Sequence, residues 1–354
     1  MVEFSIDGKK IGGDNPCYSI AEAGANHDGE IEKAIQLIDS AKNAHADSIK
    51  FQNYKASKLS TKLAPKYWDD GNPNETQFEV FSKLDTLSDD DWKQIFEYAI
   101  KKQITCFSTP FDQESVDLLY SLNVPAFKIA SADITHFPLI SYIAKKNLPI
   151  FLSTGMASFS EIHDAVNIIE NEGNHQIILM HCMTSYPTLA KDANLQMISS
   201  LKEEFNNYVI GYSDHTIGTS IPVFSTFYGS KCIEKHFTFN TKLKKSPDHR
   251  MSLDENGFYQ MISKLRLSEI TKGKSIRTNF DSEDSSIMYA RRSIVSKNKI
   301  LKGTKISEEM LDFKRPGTGI SPSNIEKIIG LKTIKDIEED VPIKWEDFFK
   351  KSND

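Results

Sequence analysis

Eight short apolar or β-branched runs recur along the first two thirds of the chain, with stretches of helical spacing between them. The runs start near Cys17 (CYSIAEAG), Ser48 (SIKFQ), Thr105 (TCFSTP), Ala126 (AFKIAS), Ile150 (IFLSTG), Ile177 (IILMHC), Tyr208 (YVIGYSDH) and Cys232 (CIEKHF). The clearest intervening helices are predicted at 30–43, 89–101, 159–170 and 255–267, where apolar residues repeat at i, i+3, i+4. Strands that alternate with helices build a parallel sheet. Eight such units match a closed (β/α)8 TIM barrel, and the absence of GxGxxG after the first run counts against an open dinucleotide-binding sheet.

Smaller signals set the boundaries. Residues 1–12 alternate around Asp7-Gly8 and read as a hairpin. Ser88 before Asp89-Asp90-Asp91, and Ser158 three before Glu161, are helix-start signals. The long stretch 54–87, with Trp68-Asp69-Asp70-Gly71-Asn72-Pro73, reads as a lid-like excursion. Residues 270–285 are polar and read as a linker. This divides the chain into a barrel over 1–269 and a small module over 286–354. In the module, SIVSKNKILKGTKI is expected to form strand, turn and strand, and SNIEKIIG a helix closed by Gly330.

The net charge of −6 makes nucleic acid and anionic membrane poor partners. No run of 18 apolar residues predicts a membrane span, and MVEFSIDGKK lacks the apolar core of a signal peptide, so the expected location is the cytoplasm. Cys17, Cys106, Cys182 and Cys232 show no CxxC spacing and are expected to be reduced core thiols.

In a barrel of this kind the chemistry lies at the C-terminal ends of the strands. Those positions carry Glu22, Lys50, Gln52, Ser108, Thr109, Lys128, Ser131, Ser153, Thr154, His181, Ser213, Asp214, His215, Glu234, Lys235 and His236. Lys50 and Lys128 lie inside otherwise apolar strands, where an unpaired cation is costly. They read as structural ion pairs, as a clamp for phosphate or carboxylate, or as a Schiff-base lysine. Ser131, Ser153 and Thr109 suit hydrogen bonds to phosphate oxygens, and Ser153-Thr154-Gly155 offers backbone amides. His215 and His236, from adjacent strand ends, could hold a divalent ion with open positions. Glu22 and Asp248 could act as acid or base or bind sugar hydroxyls. His181 and Cys182 point to opposite faces, and Cys182 is expected in the core.

One compositional fact sharpens this list. The chain has six arginines, the first being Arg250, so an anion site in the barrel must rely on lysines, hydroxyls, backbone amides or metal.

The segments AEAGANHDG (21–29), KFQ (50–52), STPFD (108–112), KIASADITHFPLI (128–140), LSTGM (152–156), HCMTSYPT (181–188), GYSDHTIG (211–218), EKHFT (234–238) and PDH (247–249) resemble the sialic acid synthases. The module with KRPGTGISP (314–322) resembles their antifreeze-like (SAF) domain. The resemblance implies a TIM barrel joined to that domain in a domain-swapped homodimer. It implies condensation of phosphoenolpyruvate with an N-acylated amino sugar to a nonulosonic (sialic) acid and phosphate, in surface-glycan biosynthesis, with Mn²⁺ or Mg²⁺ as cofactor. By resemblance, Lys50, Gln52, Thr109, Lys128, Ser131, Ser153 and Ser213 hold phosphoenolpyruvate and its intermediate, Glu22 is the acid or base near C2, and His215 and His236 hold the metal. Tyr186 and Asp248 match sugar-side positions, and Arg315 matches an arginine offered by the partner's small domain.

Two loops depart from the pattern. Thr184 stands where N-acetylneuraminate-forming members often carry asparagine, and Ala132-Asp133 stands where many have Gly-Glu. Both lie where sugar identity is expected to be read. N-acetylmannosamine is placed first as acceptor, with a di-N-acetylated dideoxy hexose (legionaminate or pseudaminate synthases) as the alternative. A Schiff-base barrel aldolase is the further alternative.

Overall fold

The structure, a computed structural model, describes residues 2–68, 72, 74–277 and 280–349. Asp69, Asp70, Gly71 and Pro73 of the lid-like excursion lie outside the described residues. The chain divides into two compact units, Met1–Gly273 and Lys274–Asp354.

The first unit opens with an antiparallel hairpin, β1 (Glu3–Ile6) and β2 (Lys9–Gly12), turned by Asp7 and Gly8 at positive φ. Eight strands follow: β3 (Tyr18–Gly24), β4 (Ser48–Asn53), β5 (Thr105–Pro110), β6 (Phe127–Ile129), β7 (Ile150–Ser153), β8 (Ile177–Cys182), β9 (Val209–Asp214) and β10 (Cys232–His236). They close in the order β10-β3-β4-β5-β6-β7-β8-β9, with β10 parallel to both β3 and β9. This is the expected TIM barrel.

Helices cover the barrel because each buries one apolar stripe. Ile31–Asn43 buries Ala34, Leu37, Ile38 and Ala41, and Asp89–Lys102 buries Trp92, Ile95, Phe96 and Ala99. The predicted starts at Ser88 and Ser158 are reciprocal capping boxes with Asp91 and Glu161. The excursion after β4 folds into the helix Gln77–Leu84. Its Phe81 packs against Tyr54 and Trp68, at ring-centroid distances of 5.5 and 5.8 Å.

The second unit has its own core, including Ile294, Ile300, Ile320, Ile328 and Ile343. β11 (Ser293–Ser296) pairs antiparallel with β12 (Leu311–Lys314), not with the residues just after the turn as the sequence pattern implies. Ile300 and Lys305 instead make single bridges to Ile337 and Lys332. Within the stretch read as a linker, the preceding helix runs on to Thr271 and another begins at Asp284.

Candidate active site

Side-chain parity decides which residues meet at the barrel mouth. Successive strand residues face opposite sides, and closed registry aligns like faces across neighbours. Glu22 stands opposite Lys50 and His236, and Ser213 opposite Cys182 and Glu234. These residues face inward. Their sequence neighbours Tyr212, Asp214 and Lys235 face the helices.

Four charged groups fill the inward face. Lys50 Nζ lies 2.6 Å from Glu22 Oε2 and 3.6 Å from Glu234 Oε1, and donates to Thr109 Oγ1 at 2.9 Å. Lys128 Nζ lies 3.9 Å from Glu234 Oε1. Gln52 donates to Glu22 at 3.0 Å and Ser213 to Glu234 at 3.2 Å. Gly24 leaves room for this packing, since a Cβ there would sit 3.2 Å from Glu22 Oε1. All four charged side chains are almost wholly buried.

Burial and charge divide their proton affinities. Burial, with Glu234 nearby, raises the Glu22 carboxyl to about 7 although Lys50 opposes it. Burial also raises Glu234, but Lys128 and Lys50 overcome this and hold it below the usual range. Burial depresses Lys128, which lacks a close carboxylate. It depresses Lys50 too, but contact with Glu22 reverses the sign. The cluster therefore pairs a readily ionised carboxylate with a carboxyl that titrates near neutrality.

Hydroxyls and amides line the next sector. Ser131 Oγ accepts from Gly155 N at 3.0 Å, and Thr184 packs against Gly155. The buried polar atoms Ser153 Oγ, Glu234 Oε2 and Asp133 Oδ2 have no hydrogen-bond partner. Asp133 is pushed up to about 6 by burial. Unpaired polar atoms of this kind are rare in a finished core and are frequent where a ligand docks.

The two histidines meet Tyr186 at the rim. The ring centroids of His215 and His236 are 5.3 Å apart, and Tyr186 lies 4.3 Å from His215. His215 Nδ1 is 2.6 Å from the Met183 carbonyl, so that nitrogen carries a proton. Burial lowers the ring's proton affinity, but Cys182 and this carbonyl raise it to about 9, so Nε2 offers a lone pair only once its own proton has left. His236 Nδ1 has no hydrogen-bond partner, and burial holds the ring neutral. Asp248 Oδ2 lies 3.8 Å from it. Among the described residues no three His, Cys, Asp or Glu side chains converge on one metal position. A cation there would be held by the two imidazoles, with its other positions open to oxygen ligands.

Three sequence readings need correction. Cys182, expected in the core, faces the mouth with Sγ 3.8 Å from His215 Nδ1. His181 faces outward and contacts the Ala193 carbonyl at 2.9 Å. Asp214 and Lys235 form a fully buried 2.6 Å ion pair behind the strands. Glu234 stands among the strand-end positions but receives no role from the resemblance, yet it sits between both lysines. Its i, i+2 relation to His236 is the signal that places it on the same face. Arg315 lies in the second unit, exposed, after β12.

Comparison with known proteins gives the family of the chain. Residues 37–277 match the NeuB family, and residues 291–348 the SAF domain. The chain belongs to the NeuB family. It is 36% identical over 351 residues to the N,N'-diacetyllegionaminic acid synthase of Legionella pneumophila, covering 96% of this chain and 98% of that one. It is 34% identical over 341 residues to the pseudaminic acid synthase of Helicobacter pylori, covering 94% and 98%. A crystal structure of N-acetylneuraminic acid (sialic acid) synthetase from Leptospira borgpetersenii in complex with citrate superposes with a TM-score of 0.72 at 33% identity. That match covers 81% of this chain and 95% of that one. The NeuB-family match spans β4 to β10, and so every charged group of the mouth except Glu22.

Proposed function

We propose that this NeuB-family protein condenses phosphoenolpyruvate with an N-acylated amino sugar, giving a nonulosonic acid and inorganic phosphate. The observation that carries this reading is the inward Lys50–Glu22–Glu234–Lys128 cluster, with Ser153 Oγ and Glu234 Oε2 left unpaired beside it. Lys128, Ser131 and Ser153 supply donors for the phosphate, and Lys50, Gln52, Thr109 and Ser213 bracket the enol carboxylate and C2. The C2=C3 π pair of phosphoenolpyruvate bonds C3 to the sugar aldehyde carbon, leaving C2 electron-deficient, and the aldehyde oxygen takes a proton from solvent. Water then adds at C2 and gives one proton to the ionised Glu22 carboxylate, which titrates near neutrality and so suits that transfer. The resulting tetrahedral centre breaks its bond to the phosphate-bearing oxygen, the C2 hydroxyl proton passes to the departing phosphate, and the keto group forms.

His215 Nε2 and His236 Nδ1 would hold a divalent ion, Mn²⁺ or Mg²⁺. When bound, the ion would polarise the aldehyde oxygen as a Lewis acid. Asp133, Thr184, Tyr186 and Asp248 would face the acceptor sugar. The sequence placed N-acetylmannosamine first. The names of the Legionella and Helicobacter relatives support a di-N-acetylated dideoxy hexose equally.

The test is phosphate release from phosphoenolpyruvate and Mn²⁺ with N-acetylmannosamine and with 2,4-diacetamido hexoses. Release with one acceptor, abolished by EDTA, is expected. No release with any acceptor from folded protein would overturn the proposal. The depressed proton affinity of Lys128 favours one second reading, a Schiff-base aldolase. A borohydride-trapped lysine adduct with activity indifferent to EDTA would establish it. We also propose a domain-swapped homodimer in which the partner's small domain brings Arg315 to the acceptor. Deleting 286–354 should then abolish turnover while the barrel stays folded by circular dichroism.

A further inference from the structure

The loop that carries Asp248 is held from below by residues of the first strand–helix connection. Asp28 Oδ1 accepts from Ser246 N at 3.1 Å and lies 3.1 Å from His249 Nε2. Asp28 Oδ2 takes Lys33 Nζ at 2.9 Å, and the Asp28 carbonyl takes Lys245 Nζ at 2.5 Å. On its other side His249 Nδ1 meets Thr238 Oγ1 at 2.8 Å. Asp28 and His249 are both essentially inaccessible to solvent, at 1% and 0%.

These contacts converge on a single peptide. Asp248 N donates to Ser246 Oγ at 3.3 Å, and Ser246 is fixed by Asp28. The Asp248 carbonyl accepts from Ser252 Oγ at 2.7 Å and from Ser252 N at 3.2 Å. Ser252 Oγ in turn accepts from Asn26 Nδ2 at 3.1 Å, and the same amide reaches the Phe237 carbonyl at 2.9 Å. Both ends of the Asp248 residue are therefore tied to Asn26 and Asp28, while its carboxylate projects toward His236. A core histidine that only needed satisfying would not require a buried aspartate with two further ties to the same loop, at Ser246 N and Lys245 Nζ.

We infer that Asp28 and His249 form a latch that positions Asp248 for the acceptor sugar. They are positioning residues, since among the described residues their side chains hydrogen-bond to each other, Ser246, Lys33 and Thr238 and not to the inward charge cluster. The inference rests on the synthase reading only for the identity of the ligand that Asp248 meets.

Two measurements on Asp28→Asn and His249→Gln test it. Hydrogen exchange needs no substrate: amides of 238–253 should exchange faster in the variants while those of β4 to β8 do not change. An unchanged loop, or a uniform increase across the barrel, would overturn the latch. In turnover, KM for the acceptor should rise about tenfold, as for a displaced positioning group, with KM for phosphoenolpyruvate within about twofold. The increase should vanish when Asp28→Asn is made in Asp248→Ala. Equal changes in both KM values, or full additivity with Asp248→Ala, would refute the assignment. Ser246→Ala, which removes one hydroxyl and leaves the buried pair intact, should reproduce the split more weakly if Asp28→Asn folds poorly. Wild-type protein silent toward every acceptor would contradict the synthase reading alone, and the exchange result would still decide the latch.

Discussion

Two buried lysines of the same barrel wall have opposite surroundings. Lys235, on the outer face of β10, is 2.6 Å from Asp214, and also donates to the Thr216 carbonyl. Asp214 is completed by the Tyr212 hydroxyl at 2.9 Å and by Thr216 N and Oγ1 at 3.1 and 3.0 Å. Lys128, on the inner face of β6, finds its nearest carboxylate oxygen at 3.9 Å, and that carboxylate keeps an unpaired oxygen. Removing charge from water is costly, and only a complete hydrogen-bond shell offsets the cost. The outer pair is complete and closed to solvent, so it stabilises the fold. The inner group is incomplete, which fits the anionic ligand proposed for it.

The comparison can be broken at several points. Lys235→Met leaves Asp214 as a buried carboxylate without its cation, and should destabilise the barrel by about 3–5 kcal/mol. Urea unfolding checks this, and turnover per folded molecule should be retained. Glu234→Gln removes the group shared by Lys50 and Lys128. Its turnover should fall on the order of a hundredfold, with a much smaller change in the urea midpoint.

The pH dependence separates the carboxylates. The folded-state pKa of Glu22 rises from 4.5 to about 7. The native chain thus holds that proton more tightly than the unfolded chain. The stability this gives is present at low pH and is lost as pH rises through about 7. Glu234 has the opposite sign: its depressed pKa gives stability above the unfolded value, lost as pH falls. If Glu22 takes the water proton, kcat/KM should rise with pH through about 7, and Glu22→Gln should remove that limb. A limb that survives this substitution would assign it to another group. The smallest effect is expected far from the mouth. Ser158→Ala breaks a capping box on an exposed helix end and should cost about 1 kcal/mol in thermal unfolding, without changing turnover.

Much of this contrast is legible in the residues, but not all of it. The alternation of short strands and amphipathic helices implies the barrel, because each element's apolar face has one way to be buried. The strand ends then supply Lys50, Lys128, His215 and His236. Period-two alternation says that His181 and Cys182 face apart, yet it does not say which one faces inward. That depends on registry, which sets Cys182 beside Ser213. The same registry separates Glu234 from Lys235 and Ser213 from Asp214. The second unit shows the same limit. The segment after Ser296 has the right residues for a strand, but β12 takes the pairing edge of β11. Choice among partners distant in sequence is a tertiary property that local propensity does not encode.

The most direct test of the central claim measures thermal stability and phosphate release together on Lys128→Met. An incomplete buried cation that exists for a ligand should be dispensable for folding. The account predicts an unchanged or higher melting temperature, with turnover reduced on the order of a hundredfold to a thousandfold. A melting temperature lowered by several degrees, with turnover per folded molecule retained, would contradict it.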